Sequence, residues 1–270
     1  MKKKRYNTIL ATALILAVVS FSCSDKEAED TLPELPPVGA LLMDFDEFID
    51  NPSQMPALKS MDTYQNAVYS YATVSIWNGI VTLPMILPVA VYLESFKHTP
   101  VYLGENSWQW SYSFTGVTET YTARLVTKRI SNDEFTAEML VSKVGVFEDF
   151  KWFEGTIRYD RTHAEWTMYE DPLNNLAWLD IEWNKDWEKN TSDITYTIVK
   201  AGHEEEGSYI TFGITEDSDY DAYYSISTSL KETMIKWNRS ISNGMVQDEE
   251  YFGDNLWHCW NELFQDGDCN

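Results

Sequence analysis

The chain has 270 residues, enough for one large domain or two smaller ones. Its 43 acidic residues outnumber 20 basic ones, a formal charge of −23, which opposes nucleic-acid binding because that depends on neutralising phosphates with Lys and Arg. The N-terminus reads as a secretory signal: Lys2 to Arg5 form a positive region, and Ile9 to Val19 an apolar one. That run is too short to span a bilayer comfortably, which takes about 20 apolar residues. Ser20-Phe21-Ser22-Cys23 follows, and the composition then changes to Ser24-Asp25-Lys26-Glu27-Ala28-Glu29-Asp30.

Ser22 before Cys23, with acidic residues behind it, resembles the lipoprotein signals of the Bacteroidota. The resemblance covers the first 30 or so residues. It implies cleavage after Ser22, diacylation and N-acylation of Cys23, and an outer-membrane anchor in the cell envelope, with acids after the cysteine associated with surface display. Ser20 stands where such signals usually carry Leu, and Ser20-x-Ser22 also fits an ordinary signal peptide. The cysteine count bears on the choice. Lipidation of Cys23 leaves Cys259 and Cys269 as one disulfide pair in an oxidising compartment. Removing the signal's four basic residues leaves 16 basic and 43 acidic, a net charge of −27.

Residues 23–39 form an acidic and proline-rich linker ending in Thr31-Leu32-Pro33-Glu34-Leu35-Pro36-Pro37, whose composition predicts an extended spacer without a core. Residues 40–270 are expected to form a single globular domain. Its first part, 40–100, reads as helical. Asp44 to Ile49 suits a short helix, and Asp62 suits the cap of a longer one. Ile76 to Leu93 is apolar and carries Pro84 and Pro88, which are expected to break it into short buried pieces packed on a sheet.

From Asn106 the pattern becomes two-residue. Trp108, Trp110, Tyr112 and Phe114 alternate with Ser107, Gln109, Ser111 and Ser113, as a strand with one wet face requires. Further strands are expected over 121–128, 135–143, 150–159, 163–169, 177–183, 194–200, 208–214, 222–227, 234–239 and 245–251. Turn chemistry such as Asp160-Arg161-Thr162 and Ser242-Asn243-Gly244 joins them. No interval holds a crossover helix, so neighbours should pair antiparallel. The expected fold is mainly β: a meander of about ten or eleven strands, closed as a barrel or left as a curved half-barrel, with the helical segment packed on it.

Chemistry is sparse. His98, His163, His203 and His258 fall in no metal-ligand spacing, and no nucleophile elbow, phosphate loop or dinucleotide fingerprint occurs. No cofactor or metal is expected. His258 beside Cys259 is a poor thiol–imidazole pair, since strand neighbours face opposite ways. Asp217-Ser218-Asp219-Tyr220-Asp221 opens like a calcium loop but has Ala222 and Thr228 at the positions for Gly and Glu, so an acidic hairpin turn is expected. Glu154, Glu165, Asp180 and Glu182 would be the first carboxylates to consider for glycoside chemistry, and they also fit the wet face of a sheet. The aromatic load, 14% of the chain, is the main positive signal. Trp152, Trp166, Trp178 and Trp183 are the ligand-binding candidates; Trp178 and Trp183 differ in parity, which puts aromatics on both faces. The expectation is a non-enzymatic envelope lipoprotein holding an apolar or amphipathic ligand in a sheet cavity. A surface glycan-binding protein and an outer-membrane interaction protein without a small ligand are the alternatives.

Overall fold

The structure is a computed structural model that describes residues 32–43, 45, 48, 63–115 and 119–269. Fourteen strands form one sheet in strict sequence order, every neighbouring pair antiparallel. The strands are β1 (Val101–Gly104), β2 (Ser107–Thr115), β3 (Thr120–Arg129), β4 (Glu134–Lys143), β5 (Phe147–Arg158), β6 (His163–Tyr169) and β7 (Ala177–Asp186). There follow β8 (Thr191–Ile198), β9 (Tyr209–Ile214), β10 (Ala222–Ser227), β11 (Glu232–Trp237), β12 (Gly244–Gln247), β13 (His258–Trp260) and β14 (Asp266–Gly267). One long helix, α1 (Gln65–Ser95), precedes them, and a single turn, α2 (Glu249–Phe252), sits between β12 and β13.

The expected meander is present, and the hairpin over 150–169 is found as β5 and β6. Of the two expected forms, the closed barrel is ruled out: among the described residues β1 and β14 lie at the two ends of the sheet and do not pair. The sheet also has more strands than the eleven read from the sequence. β1 is an edge strand exposed on both faces and so lacks alternation; β13 and β14 are three and two residues long, too short to show a period. The strand expected over 245–251 stops at Gln247, because Asp248 caps α2 by accepting the Tyr251 amide.

One face of the sheet is the core. Strands β4 and β8 alternate almost without fault, with Phe135, Ala137, Met139 and Val141, then Ile194, Tyr196 and Ile198, buried. Helix α1 covers this face with Val74, Trp77, Val81, Met85, Val89, Val91 and Tyr92. It touches β2 and β3 near one end of the sheet and β12, β13 and β14 at the other.

Pro84 and Pro88 do not break the helix, contrary to expectation. A proline inside a helix costs about 3 kcal/mol or more through a lost hydrogen bond and a carbonyl clash. Here Val81, Met85, Pro88, Val89 and Tyr92 are buried around the two sites, and that packing holds the chain in one helix. The helix start owes nothing to its own flank, for Tyr64 offers no side-chain cap. The Asp266 carboxylate on β14 accepts the Gln65 and Asn66 amides at 2.9 and 3.0 Å, and Asn66 Nδ2 donates to the Cys259 carbonyl. The expected Asp62 cap lies outside the described residues. Of the expected helix over 44–49 only Phe45 and Phe48 are described, and both rings pack on Tyr224.

The proline-rich stretch also departs from expectation. Within 32–39, Pro33, Leu35 and Pro36 are buried, so this part is no free spacer. Tyr92 Oη donates to the Pro36 carbonyl, Trp166 Nε1 to that of Ala40, and Tyr196 Oη to that of Leu41. Core side chains satisfy the carbonyls of a segment that turns through a short 3-10 helix at Val38–Ala40 and has no strand partner.

Candidate functional site

The face of the sheet opposite α1 is polar, and its register builds the candidate site. Across β4 to β8, Thr136, Thr156, Glu165, Glu182 and Thr195 stand in one row. The adjacent row is Glu138, Glu154, Thr167, Asp180 and Thr197. Side chains two apart on a strand share a face, so both rows point away from the core. They line an open concavity of about 680 Å³.

Its charge is one-sided. Glu138, Glu154, Glu165, Asp180 and Glu182 line it, and no Lys or Arg does. Glu165 and Glu182 oppose each other directly on paired strands, an arrangement of like charges that destabilises a sheet. Thr167 Oγ1 donates to Asp180 at 2.8 Å, and Thr195 bonds the β9 residue Thr211. At the rim, Lys151 Nζ lies 2.9 Å from Glu154 and 3.7 Å from Glu138. Tyr169 Oη donates to Glu154 at 2.5 Å. The Tyr169 hydroxyl and then the Lys151 ammonium hold the Glu154 carboxyl below the usual range, so it is ionised at neutral pH.

The structure divides the four candidate tryptophans. Trp166 and Trp183 are buried at 2% and 5% exposure, on the core side. Trp166 sits edge-on to Tyr92 and Phe153. Trp152 is half-buried against Phe147 and Phe150. Trp178 is half-buried, shares the parity of Asp180 and Glu182, and packs at the border of the core without lining the concavity. Trp178 and Trp183 thus differ in parity along β7, as expected. Trp187 is more exposed than any of the four, at 52%, but its ring is flanked by Arg161 and Lys185.

All four carboxylates singled out in the sequence (Glu154, Glu165, Asp180 and Glu182) meet in this concavity. The threonines between them, Thr136, Thr156, Thr167, Thr195 and Thr197, went unrecognised. Each strand places its threonines at the same parity as its acids: Thr136 with Glu138, Thr156 with Glu154 and Thr167 with Glu165, while β8 carries Thr195 and Thr197 and β7 only Asp180 and Glu182. Two other concavities, of about 510 and 600 Å³, are lined by residues of β3 to β10 and their turns; neither they nor the first include a residue of α1.

The remaining chemistry is structural. Cys259 and Cys269 form a disulfide with Cα atoms 5.2 Å apart. His258 stacks on Phe252 and pairs with Asp254. The 217–221 segment is a hairpin turn in which Asp217 accepts the Asp219 and Tyr220 amides and Asp221 pairs with Arg239. Cys23 lies outside the described residues. No family model matches the chain, and no curated protein or solved structure matches it.

Proposed function

We propose that this protein is a non-enzymatic lipoprotein of the cell envelope, anchored at Cys23, that binds a glycan on the polar face of its sheet. The observation that carries the reading is the built concavity of hydroxyls and five carboxylates, with the Lys151 ammonium at its rim, Tyr169 bonded to Glu154, and Trp178 on the same face of β7. Carboxylates accept hydrogen bonds at two oxygens, threonine hydroxyls donate and accept, and half-exposed aromatic rings offer flat faces to sugar rings. Keeping Glu165 opposite Glu182 costs stability, and a local conflict of this kind marks a functional surface.

This reading displaces the apolar-ligand expectation. Trp77, Val81, Met85 and Tyr92 of α1 pack in the same core as Phe153, Trp166, Tyr196 and Tyr224 of the sheet, where an apolar guest would have to lie. In the proposed arrangement the sheet curls as a half-barrel about α1, consistent with the helix touching strands near both ends.

The test is a glycan array probed with the Cys23→Ala chain, which should lack acyl mass and no longer be held in the membrane covalently. Binding to one glycan class is expected, with loss on Glu165→Gln plus Glu182→Gln and weakening on Trp178→Ala. An array without signal, or binding indifferent to these changes, would overturn the glycan assignment. Retention of Cys23→Ala in the membrane by a covalent anchor elsewhere would overturn the lipoprotein reading.

A further inference from the structure

Helix α1 is apolar on both sides. No charged residue occurs between Gln65 and Leu93. The side facing the sheet is buried, but the far side carries Ala72, Ile76, Gly79, Leu83, Ile86, Ala90 and Leu93, all exposed. These positions recur every three and four residues and form one continuous stripe. Exposure reaches 64% at Ile76, 70% at Leu83 and 60% at Ile86. By length and composition the helix could cross a membrane, yet its other side is committed to the core, so only one face is open to an apolar phase. A contiguous apolar patch on a highly charged molecule marks an interaction surface.

We propose that this stripe lies on a lipid bilayer, in the plane of the interface. The inference rests in part on the reading of Cys23 as the anchored residue. Three observations select the bilayer over a second copy of the chain. The exposed stripe is flanked by Thr73, Ser75, Asn78 and Thr82, polar but uncharged, which suits a headgroup boundary; paired helices in water usually carry charges beside their seam. Two copies meeting face to face would bring together bodies that each carry −27 after signal removal, whereas a zwitterionic bilayer imposes no such repulsion.

The tether points the same way. Leu32 lies nine positions after Cys23, and at about 3.3–3.6 Å per position the two are at most roughly 30 Å apart. Pro36, four residues further on, is bonded to Tyr92 in the C-terminal half of α1. On the reading of Cys23 as the anchor, the lipid therefore attaches within that reach of the segment that Tyr92 holds. A body held there with α1 against the bilayer turns its opposite face, with the Glu165–Glu182 concavity, to the solvent.

The experiment uses the full lipidated protein in phosphatidylcholine vesicles, with an environment-sensitive fluorophore on Leu83→Cys and, separately, on Thr167→Cys of the opposite face. Intact mass of the same sample reports acylation independently. The expected result is blue-shifted emission and strong quenching by doxyl-labelled lipid at position 83, and neither at 167. Equal behaviour at the two sites in an acylated, vesicle-bound protein would overturn the inference and leave the lipoprotein reading standing. Quenching at 83 in a chain lacking acyl mass would overturn the lipoprotein reading and leave the bilayer face standing. Energy transfer between position-83 labels, with doubled mass in light scattering and no lipid quenching, would assign the face to a second copy. The Leu83→Glu plus Ile86→Glu variant, at exposed positions, should fold and lose vesicle binding once acylation is removed by Cys23→Ala.

Discussion

Asp248 is fully buried, yet it sits where β12 meets α2 and the start of α1. Thr233 Oγ1 donates to it at 2.6 Å, the Tyr69 hydroxyl and the Tyr251 amide also donate, and Lys231 Nζ lies 3.1 Å away. Burial by itself would raise the Asp248 carboxyl, but these donors and the ammonium outweigh it and hold the group below the ordinary range. A carboxyl depressed in the fold contributes fully above its unfolded value, near pH 4, and the contribution fades as pH falls through the folded value. Burial likewise opposes the charge on Lys231, yet Tyr69 and Asp248 keep its titration above the usual lysine range, so its share is lost only in strong alkali. Asp248→Asn is therefore expected to cost about 3 kcal/mol at pH 7, since it leaves a partly buried ammonium without its carboxylate. Urea midpoints across pH 7 to 3 should show the gap between variant and parent narrowing at the acid end.

At the scale of elements, glycines inside strands mark where an aromatic ring lies across a neighbour. A Cβ on Gly155 would stand 2.4 Å from the Trp166 ring and 2.3 Å from the Glu165 carbonyl. Gly213 lies under Tyr223 and Gly244 under Trp260 in the same manner. Gly155→Ala should destabilise by about 1–3 kcal/mol through overpacking, whereas Gly39→Ala, with open space at its Cβ, should move the denaturation midpoint little. The strand glycine was visible in the sequence and the ring over it was not, because a cross-strand neighbour is set by register. Helix α1 makes the complementary point. Its two prolines are strong local signals for breakage, and tertiary burial overrides them.

Across the whole molecule, the C-terminal hairpin fastens the N-terminal helix. The Cys259–Cys269 bridge ties β13 to the segment bearing Asp266, and Asp266 caps α1 from about 200 residues away. Removing the bridge by Cys259→Ser plus Cys269→Ser should cost about 2–3 kcal/mol for so short a loop. Amide exchange should rise first in the opening turn of α1, while β4 to β8 stay protected. Uniform exchange across the sheet would instead mean that the bridge stabilises the fold as a whole.

By itself the sequence determined the mainly β meander, the boundaries of β6 and β10 to the residue, and the wet side of strands such as β2, β4 and β8 that alternate, because period-two alternation is written in consecutive residues. It also gathered Glu154, Glu165, Asp180 and Glu182 on that side and left Cys259 and Cys269 as the available pair. Only the tertiary structure decided that the sheet stays open, that α1 runs unbroken through Pro84 and Pro88, and that Pro33 to Leu41 belongs to the core. Each of those outcomes depends on partners far away in the chain: Tyr196 for Leu41, Trp166 for Ala40 and Asp266 for the helix start. Local pattern fixes what a segment can become, and burial against distant residues decides which local preference is overruled.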